Sequence, residues 1–318
     1  MKEFQISKNG ENQRLDKYLK KLLPNASTGF LYKMLRKKNI TLNGKKAEGS
    51  EKLKASDCIC LYLSDETYEK FSKQEEDLQN QYEALKALPM NGLTIVYEDE
   101  MMLAANKPAG MLSQKAAESD LSANEYLLGY LIRSGALSSA DYRTFRPSVC
   151  NRLDRNTTGL LLMGKTLEEL QVLSRMLKSR ELQKFYHCIV AGSINAPSTL
   201  KGYLKKDEQS NYVTLFSQPA EGASYIETAL KPLKQTKDYT LLEVQLITGR
   251  THQIRAHLAS IGHPVLGDSK YGDAAINANV RKRFAVRRQL LHAGRITLPD
   301  GRTILAEEPE IYHQIMGE

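Results

Sequence analysis

The stretch from Ser64 to Leu88 divides this chain and sets how it can fold. It holds 3 Lys/Arg against 7 Asp/Glu, is rich in Glu and Gln, and stops at Pro89. No hydrophobic core runs through such a segment. It reads as a solvated, charged helical connector that Pro89 ends. It leaves a module at residues 1–63, a linker at 64–89 and a larger domain at 90–318. A total of 318 residues fits two cores of this kind, at roughly 150 residues per domain. The charge is equally uneven. Residues 1–63 carry 14 Lys/Arg against 6 Asp/Glu, and the whole chain has a net charge of +8. A basic surface of this kind suits a polyanionic partner. With 41% hydrophobic residues and a mean hydropathy of −0.45, the chain reads as soluble and globular. No apolar run approaches the ~20 residues of a membrane helix. Met1-Lys2-Glu3-Phe4 lacks the apolar core of a secretory signal. Four Cys are too few for a disulfide framework, and Cys58 and Cys60 lack the second pair that a zinc site needs. A cytoplasmic protein with reduced thiols is expected.

Within residues 1–63, Leu15, Leu19 and Leu22 recur at helical spacing before Pro24. Ser27 is placed to cap a second helix with Phe30, Leu31, Met34 and Leu35 on its apolar face. Ile40–Leu42, Asn43-Gly44 and Lys45–Ala47 predict a strand, a tight turn and a strand, and Ile59–Leu61 predicts a closing strand. Lys33, Arg36, Lys37 and Lys38 at the helix end, beside Lys45 and Lys46, form a candidate phosphate-tracking surface. The order of R-L-D-x-x-L at 14–19, Ser27, the basic helix end, Asn43-Gly44, Gly49 and Asp57 resembles the RNA-binding module first seen in small-subunit ribosomal protein four. The resemblance covers roughly residues 12–63 and implies RNA binding.

The second part reads as mixed α and β. Leu93–Ala105 predicts a hairpin, Lys107–Gly110 a turn and Leu160–Met163 a buried strand. Thr166 and Glu169 make a capping box ahead of a helix with Leu170, Leu173 and Leu177 on its stripe. Strands are expected at 185–190, 212–216 and 240–247, and a helix from His252 to Ile261. Because strands and helices do not alternate regularly, a mixed, largely antiparallel α+β sheet is expected rather than a doubly wound one.

One literal motif points elsewhere. Gly159-Leu160-Leu161-Leu162-Met163-Gly164-Lys165-Thr166 matches the P-loop pattern of nucleotidases. A P-loop needs its middle residues in an open loop with N–H groups aimed at phosphate. Three leucines and a methionine would instead expose a large apolar patch, whereas a strand buries them. The polar run before them cannot supply the preceding strand. No nucleotide cofactor is expected.

Two polar clusters carry the chemistry. In Asn151-Arg152-Leu153-Asp154-Arg155-Asn156-Thr157-Thr158-Gly159, a single carboxylate stands between two guanidinium groups. An aspartate beside arginine stays ionised, which suits a nucleophile or base rather than a general acid. In Thr248-Gly249-Arg250-Thr251-His252-Gln253-Ile254-Arg255, Arg250 sits at a strand-to-helix junction and Arg255 in the first turns of the helix. His252 and His257 are five apart, so they fall on different helix faces and do not make a zinc pair.

These clusters, with N-K-P-A-G at 106–110, K-F-Y at 184–186 and G-H-P-V-L-G-D at 262–268, resemble the signature segments of RluA-type pseudouridine synthases across residues 93–318. An N-terminal module of the ribosomal-protein type is common among the family's large-subunit rRNA members. The resemblance implies that Asp154 is the catalytic aspartate, Tyr186 the aromatic that stacks on the target uracil, and Arg255 the partner of the aspartate. Arg152 matches the arginine that fills the gap left by the flipped nucleotide. Arg155, Arg250 and His252 join it as expected RNA contacts. The family more often has His at the position of Asn151 and Ser at that of Thr158. The implied reaction turns uridine into pseudouridine and needs no cofactor or metal, with Asp154 either attacking the anomeric carbon or removing the neighbouring sugar proton. The expected partner is RNA, most of all large-subunit rRNA, and a monomer is the expected form. The alternative from another class is a non-catalytic RNA-binding or ribosome-assembly protein.

Overall fold

The computed structural model describes residues 1–72, 75–207 and 209–317. The N-terminal part comprises β1 (Lys2–Gln5), α1 (Leu15–Leu22), α2 (Thr28–Arg36), β2 (Ile40–Leu42), β3 (Lys45–Lys46) and β4 (Cys58–Leu61). Its four strands form an antiparallel sheet in the order β1-β4-β2-β3. The Ser27 hydroxyl accepts from the Phe30 N–H and starts α2. Asn43 and Gly44 both take positive φ, 52° and 71°, the geometry of a tight hairpin turn. Leu15, Leu19, Leu22, Leu31, Leu35 and Ile59 share one buried core. Arg14 donates two hydrogen bonds to Asp16, at 3.1 and 2.9 Å, and the Tyr32 hydroxyl donates a third at 3.1 Å. The first strand, β1, was not visible as a sequence pattern.

The connector forms α3 (Asp65–Phe71) and α4 (Glu75–Lys86). Residues 73 and 74, within the expected connector, lie outside the described residues. Its aromatic residues are less solvated than its charge suggests. Tyr68 and Phe71 pack on the N-terminal core, whereas Tyr82 and Leu85 pack on the core of the second part. The two parts also meet directly. Ser7 hydrogen-bonds Asp141, Lys8 pairs with Glu100 at 3.0 Å, and Lys20, Lys21, Arg143 and Arg146 line a cleft between them.

The second part continues with β5 (Thr94–Glu98), β6 (Met102–Lys107), α5 (Ala123–Arg133), α6 (Ser139–Thr144), β7 (Ser148–Val149), β8 (Thr158–Gly164), α7 (Leu167–Ser179) and β9 (Gln183–Ala191). Then come β10 (Ser198–Asp207), β11 (Tyr212–Phe216), β12 (Ser224–Gln235), β13 (Tyr239–Leu246), α8 (Gln253–Ser260), α9 (Ala274–Phe284), β14 (Leu291–Thr297), β15 (Thr303–Leu305) and α10 (Ile311–Met316). One sheet runs β11-β10-β12-β13-β9-β14-β8-β6-β5, with β7 on β8 and β15 on β14. Among the described residues only β8 and β14 pair in parallel. The sheet is therefore mixed and largely antiparallel, as the irregular element order implied.

The P-loop pattern resolves into β8. Leu160 to Met163 are fully buried, and Gly159 pairs with Ala293 across the parallel step. A Cβ on Gly159, at φ 108°, would lie 2.3 Å from the Ala293 oxygen. One on Gly164 would lie 2.5 Å from the Leu170 nitrogen. The two glycines serve close packing rather than phosphate. Lys165 is spent on Glu98, at 2.8 Å, and on the Asp99 carbonyl, and Thr166 caps α7.

Candidate active site

Asp154 stands on the polar turn between β7 and β8, and that turn is tied down on every side. The Leu153 N–H donates to the Ser113 hydroxyl and the Leu153 carbonyl accepts from it, both at 2.9 Å. The Arg155 carbonyl accepts from the Gly110 N–H at 2.8 Å and from Lys107 Nζ at 3.1 Å. Asn151 spends its amide on β8, donating to the Leu160 carbonyl at 3.0 Å and accepting from the Leu162 N–H at 2.8 Å. The Asp154 side chain is left 26% exposed on an otherwise fixed backbone.

Arg255 reaches that carboxylate from the first turns of α8. Gln253 fastens the start of this helix to β12. Its amide donates to the Glu227 carbonyl and the Thr228 hydroxyl, and its oxygen accepts from the Thr248 hydroxyl and the Arg250 N–H. Arg255 Nη1 then donates to Asp154 Oδ2 at 2.7 Å. Its Nε and Nη2 donate to the two oxygens of Asp268, at 2.6 and 2.8 Å. The Asp268 side chain is 0% exposed. Burial works against charge on Arg255, but the bonds and charges of Asp268 and Asp154 outweigh it and raise the guanidinium pKa. Burial likewise opposes the charge of Asp268, and Arg255 overcomes it, holding that carboxyl below its ordinary range. A guanidinium locked on one carboxylate thus presents Nη1 to another.

Two further side chains face Asp154. His252 takes a left-handed backbone, φ 55°, at the start of α8. Its Nε2 lies 3.9 Å from Asp154 Oδ2, and its Nδ1 lies 3.0 Å from the Tyr271 hydroxyl. Burial pushes the imidazole pKa down. Tyr186, on β9, is 7% exposed and belongs to the main core. Burial raises its hydroxyl pKa, and the charge of Asp154 adds to that rise.

The structure brings Asp154, Tyr186, Arg255 and His252 together, although 101 residues separate Asp154 from Arg255. His252, read from the sequence as an RNA contact, is turned inward. Arg152, Arg155 and Arg250 are exposed on the same two loops. Lys33, Arg36, Lys37, Lys38, Lys45 and Lys46 are exposed on the separate N-terminal part. His252 and His257 do not converge, because His257 faces Thr228 at 2.9 Å.

Sequence reasoning missed three residues here. Asp268 and Tyr271 lie in the loop after α8. Lys107, at the end of β6, is fully buried and donates to the carbonyls of Pro108, Met111 and Arg155. Burial lowers its pKa to about 7, against the opposing pull of Asp154. N-K-P-A-G and G-H-P-V-L-G-D signalled the segments that carry Lys107 and Asp268, but not these side chains.

A basic α/β module joined to a largely antiparallel sheet, with one partly exposed carboxylate held by arginine, describes a two-module enzyme acting on nucleic acid. Comparison with known proteins makes the class specific. The RNA pseudouridylate synthase family matches residues 101–260, and the S4 domain matches residues 13–59. An uncharacterized RNA pseudouridine synthase of Mycoplasma pneumoniae is 32% identical over 85% of this chain and 80% of its own. The ribosomal large subunit pseudouridine synthase C of Buchnera aphidicola subsp. Schizaphis graminum is 31% identical over 89% of this chain and 84% of its own. Human RNA pseudouridylate synthase domain containing 4 shares the fold, with a TM-score of 0.57, 20% identity, and coverage of 74% of this chain and 94% of that one. The chain belongs to the RNA pseudouridylate synthase family.

Proposed function

We propose that this pseudouridine synthase modifies uridines of large-subunit ribosomal RNA, with Asp154 as the catalytic carboxylate. The observation that carries the assignment is the asymmetry of its two oxygens. Oδ2 is held by Arg255, and among the described residues Oδ1 has no hydrogen-bond partner. Oδ1 is the oxygen free to meet the ribose. The isomerisation breaks the bond between uracil N1 and C1′ of the sugar and makes a bond from C5 to C1′. The C5 proton is lost and N1 ends protonated, so nothing is oxidised and no group leaves the nucleotide. Attack by Oδ1 on C1′ and removal of the 2′ proton by Oδ1 place the same demand on the site, an ionised oxygen aimed at the sugar.

Before that step the target base must leave the stack, at a cost of a few kcal/mol. Tyr186 supplies the wall on which it rests, in a chain that has no Trp. Arg152 fills the gap that the flipped nucleotide leaves, and Arg155 and Arg250 meet the flanking phosphates. The exposed Lys33, Arg36, Lys37, Lys38, Lys45 and Lys46 hold the RNA at a distance from the chemistry. Large-subunit rRNA is favoured because the Buchnera relative bears that substrate in its name and aligns with most of both chains. A pseudouridine map of a strain lacking this gene tests the reading. Large-subunit positions should lose the modification, and regain it with the wild-type chain but not with Asp154→Asn. Loss confined to other RNAs would reject the substrate, and full restoration by Asp154→Asn would reject the residue.

A further inference from the structure

Tyr271 lies in the loop after α8 and touches two of the side chains that face Asp154, Arg255 and His252. Its ring centroid is 5.2 Å from the Arg255 guanidinium carbon, and its hydroxyl oxygen is 3.0 Å from His252 Nδ1. Its backbone N–H donates to Asp268 at 3.1 Å, so the loop that anchors Arg255 also anchors this tyrosine. The Val213 N–H, at the edge of the sheet, donates to the Tyr271 oxygen at 3.1 Å.

These bonds decide where the imidazole hydrogen sits. A phenol has one hydrogen to donate. Among the described residues, the only acceptor within hydrogen-bond reach of the Tyr271 O–H is His252 Nδ1. If Nδ1 carried the hydrogen instead, the phenol oxygen would receive from both Val213 and His252, and its own hydrogen would have no acceptor among the described residues. The satisfied arrangement runs from the Val213 N–H to the Tyr271 oxygen, and from the Tyr271 O–H to His252 Nδ1. Burial agrees with it, because it keeps the phenol protonated and the imidazole neutral. A neutral imidazole that accepts at Nδ1 carries its hydrogen on Nε2, the atom 3.9 Å from Asp154 Oδ2.

We propose that Tyr271 is a positioning residue that fixes His252 as the Nε2–H tautomer, so that His252 and Arg255 both confine Asp154 Oδ2 and leave Oδ1 to the ribose. At 3.9 Å the pair is beyond hydrogen-bond length, so the Nε2–H acts on Oδ2 through its dipole. This inference rests on the assignment of Asp154 as the catalytic carboxylate.

Tyr271→Phe tests it cleanly, because the ring that packs on Arg255 is kept and only the hydroxyl is lost. The full-length protein, labelled with 15N histidine, should show His252 Nδ1 unprotonated, with its signals assigned by their loss in His252→Gln. In Tyr271→Phe the tautomer should mix. The single-turnover rate on transcribed rRNA should fall about tenfold while RNA affinity stays within about twofold. Loss of a donor to the neutral ring should also raise its pKa and move the acid limb of the pH–rate profile upward. A protonated Nδ1 in the wild type would overturn the proposal. So would a Tyr271→Phe enzyme with the wild-type rate and profile. An active Asp154→Asn would instead sink the assignment of the carboxylate, and the histidine spectra would still report the tautomer.

Discussion

Asp268 grips Arg255 with both carboxylate oxygens, at 2.6 and 2.8 Å, from a position with no solvent exposure. This grip lies behind the site rather than in it. It fixes the plane of the guanidinium, and so the direction of the Nη1 donor that reaches Asp154.

Asp268→Asn keeps the shape and removes the charge. Breaking a buried ion pair on one side costs about 3–5 kcal/mol. Urea unfolding should show a loss of that order, and single-turnover rates should fall at least tenfold. The sign with pH follows from the lowered carboxyl pKa in the folded state. The contribution of Asp268 is fully present above the ordinary aspartate range and is lost as pH falls through the folded pKa. The stability gap between wild type and Asp268→Asn should therefore narrow in acid.

Lys107 gives a slope of the same sign in a higher pH window. Its folded pKa is about 7, whereas an unfolded lysine holds its proton to about 10.4. Between those values unfolding takes up a proton, so raising the pH favours the folded state. The stability of the wild type relative to Lys107→Met should rise from about pH 7 to about pH 10, by up to roughly 1.4 kcal/mol per pH unit, and then level. A pH-independent difference in urea melts would contradict the buried, proton-poor lysine.

Gly159→Ala should be costly for a backbone reason. Its φ is 108°, and the new methyl would meet the Ala293 oxygen at 2.3 Å. Strain and overpacking together predict a loss of about 2–5 kcal/mol by thermal or urea melting. Lys165→Ala, by contrast, removes a lysine paired with Glu98 from the end of β8 and should leave nucleotide titrations as blank as those of the wild type.

The N-terminal cations should act through phosphate alone. Lys37→Ala combined with Lys45→Ala should weaken RNA binding and flatten its salt dependence by about 0.7–0.9 log units per lost contact. The rate of bound RNA turning over should not change. An unaltered slope would place the RNA elsewhere.

Much of this was legible in the chain. Leu160–Met163 had to be buried, so β8 and the failure of the P-loop pattern followed from hydropathy alone. Ser27 and Thr166 announced their helices because a cap is a local bond. Asn43-Gly44 announced its turn because few residues accept two positive φ angles. The strand β1 was missed because its four residues alternate half-buried and exposed and borrow their order from β4. The connector was misjudged in part, because Tyr68 and Tyr82 find cores that no local pattern reveals. At the site, Asp154 and Arg255 stood out by their company in polar motifs. Asp268, Tyr271 and Lys107 did not, since their roles arise only when α8 docks on β12 and the turn before β8 closes over β6.

The most direct test of the account is a single-turnover assay of tritium release from RNA labelled at uracil C5, run on wild type and Asp154→Asn beside an RNA-binding titration. The account predicts that Asp154→Asn binds the RNA within about threefold of wild type and releases no tritium above background. Release at the wild-type rate by Asp154→Asn would contradict it.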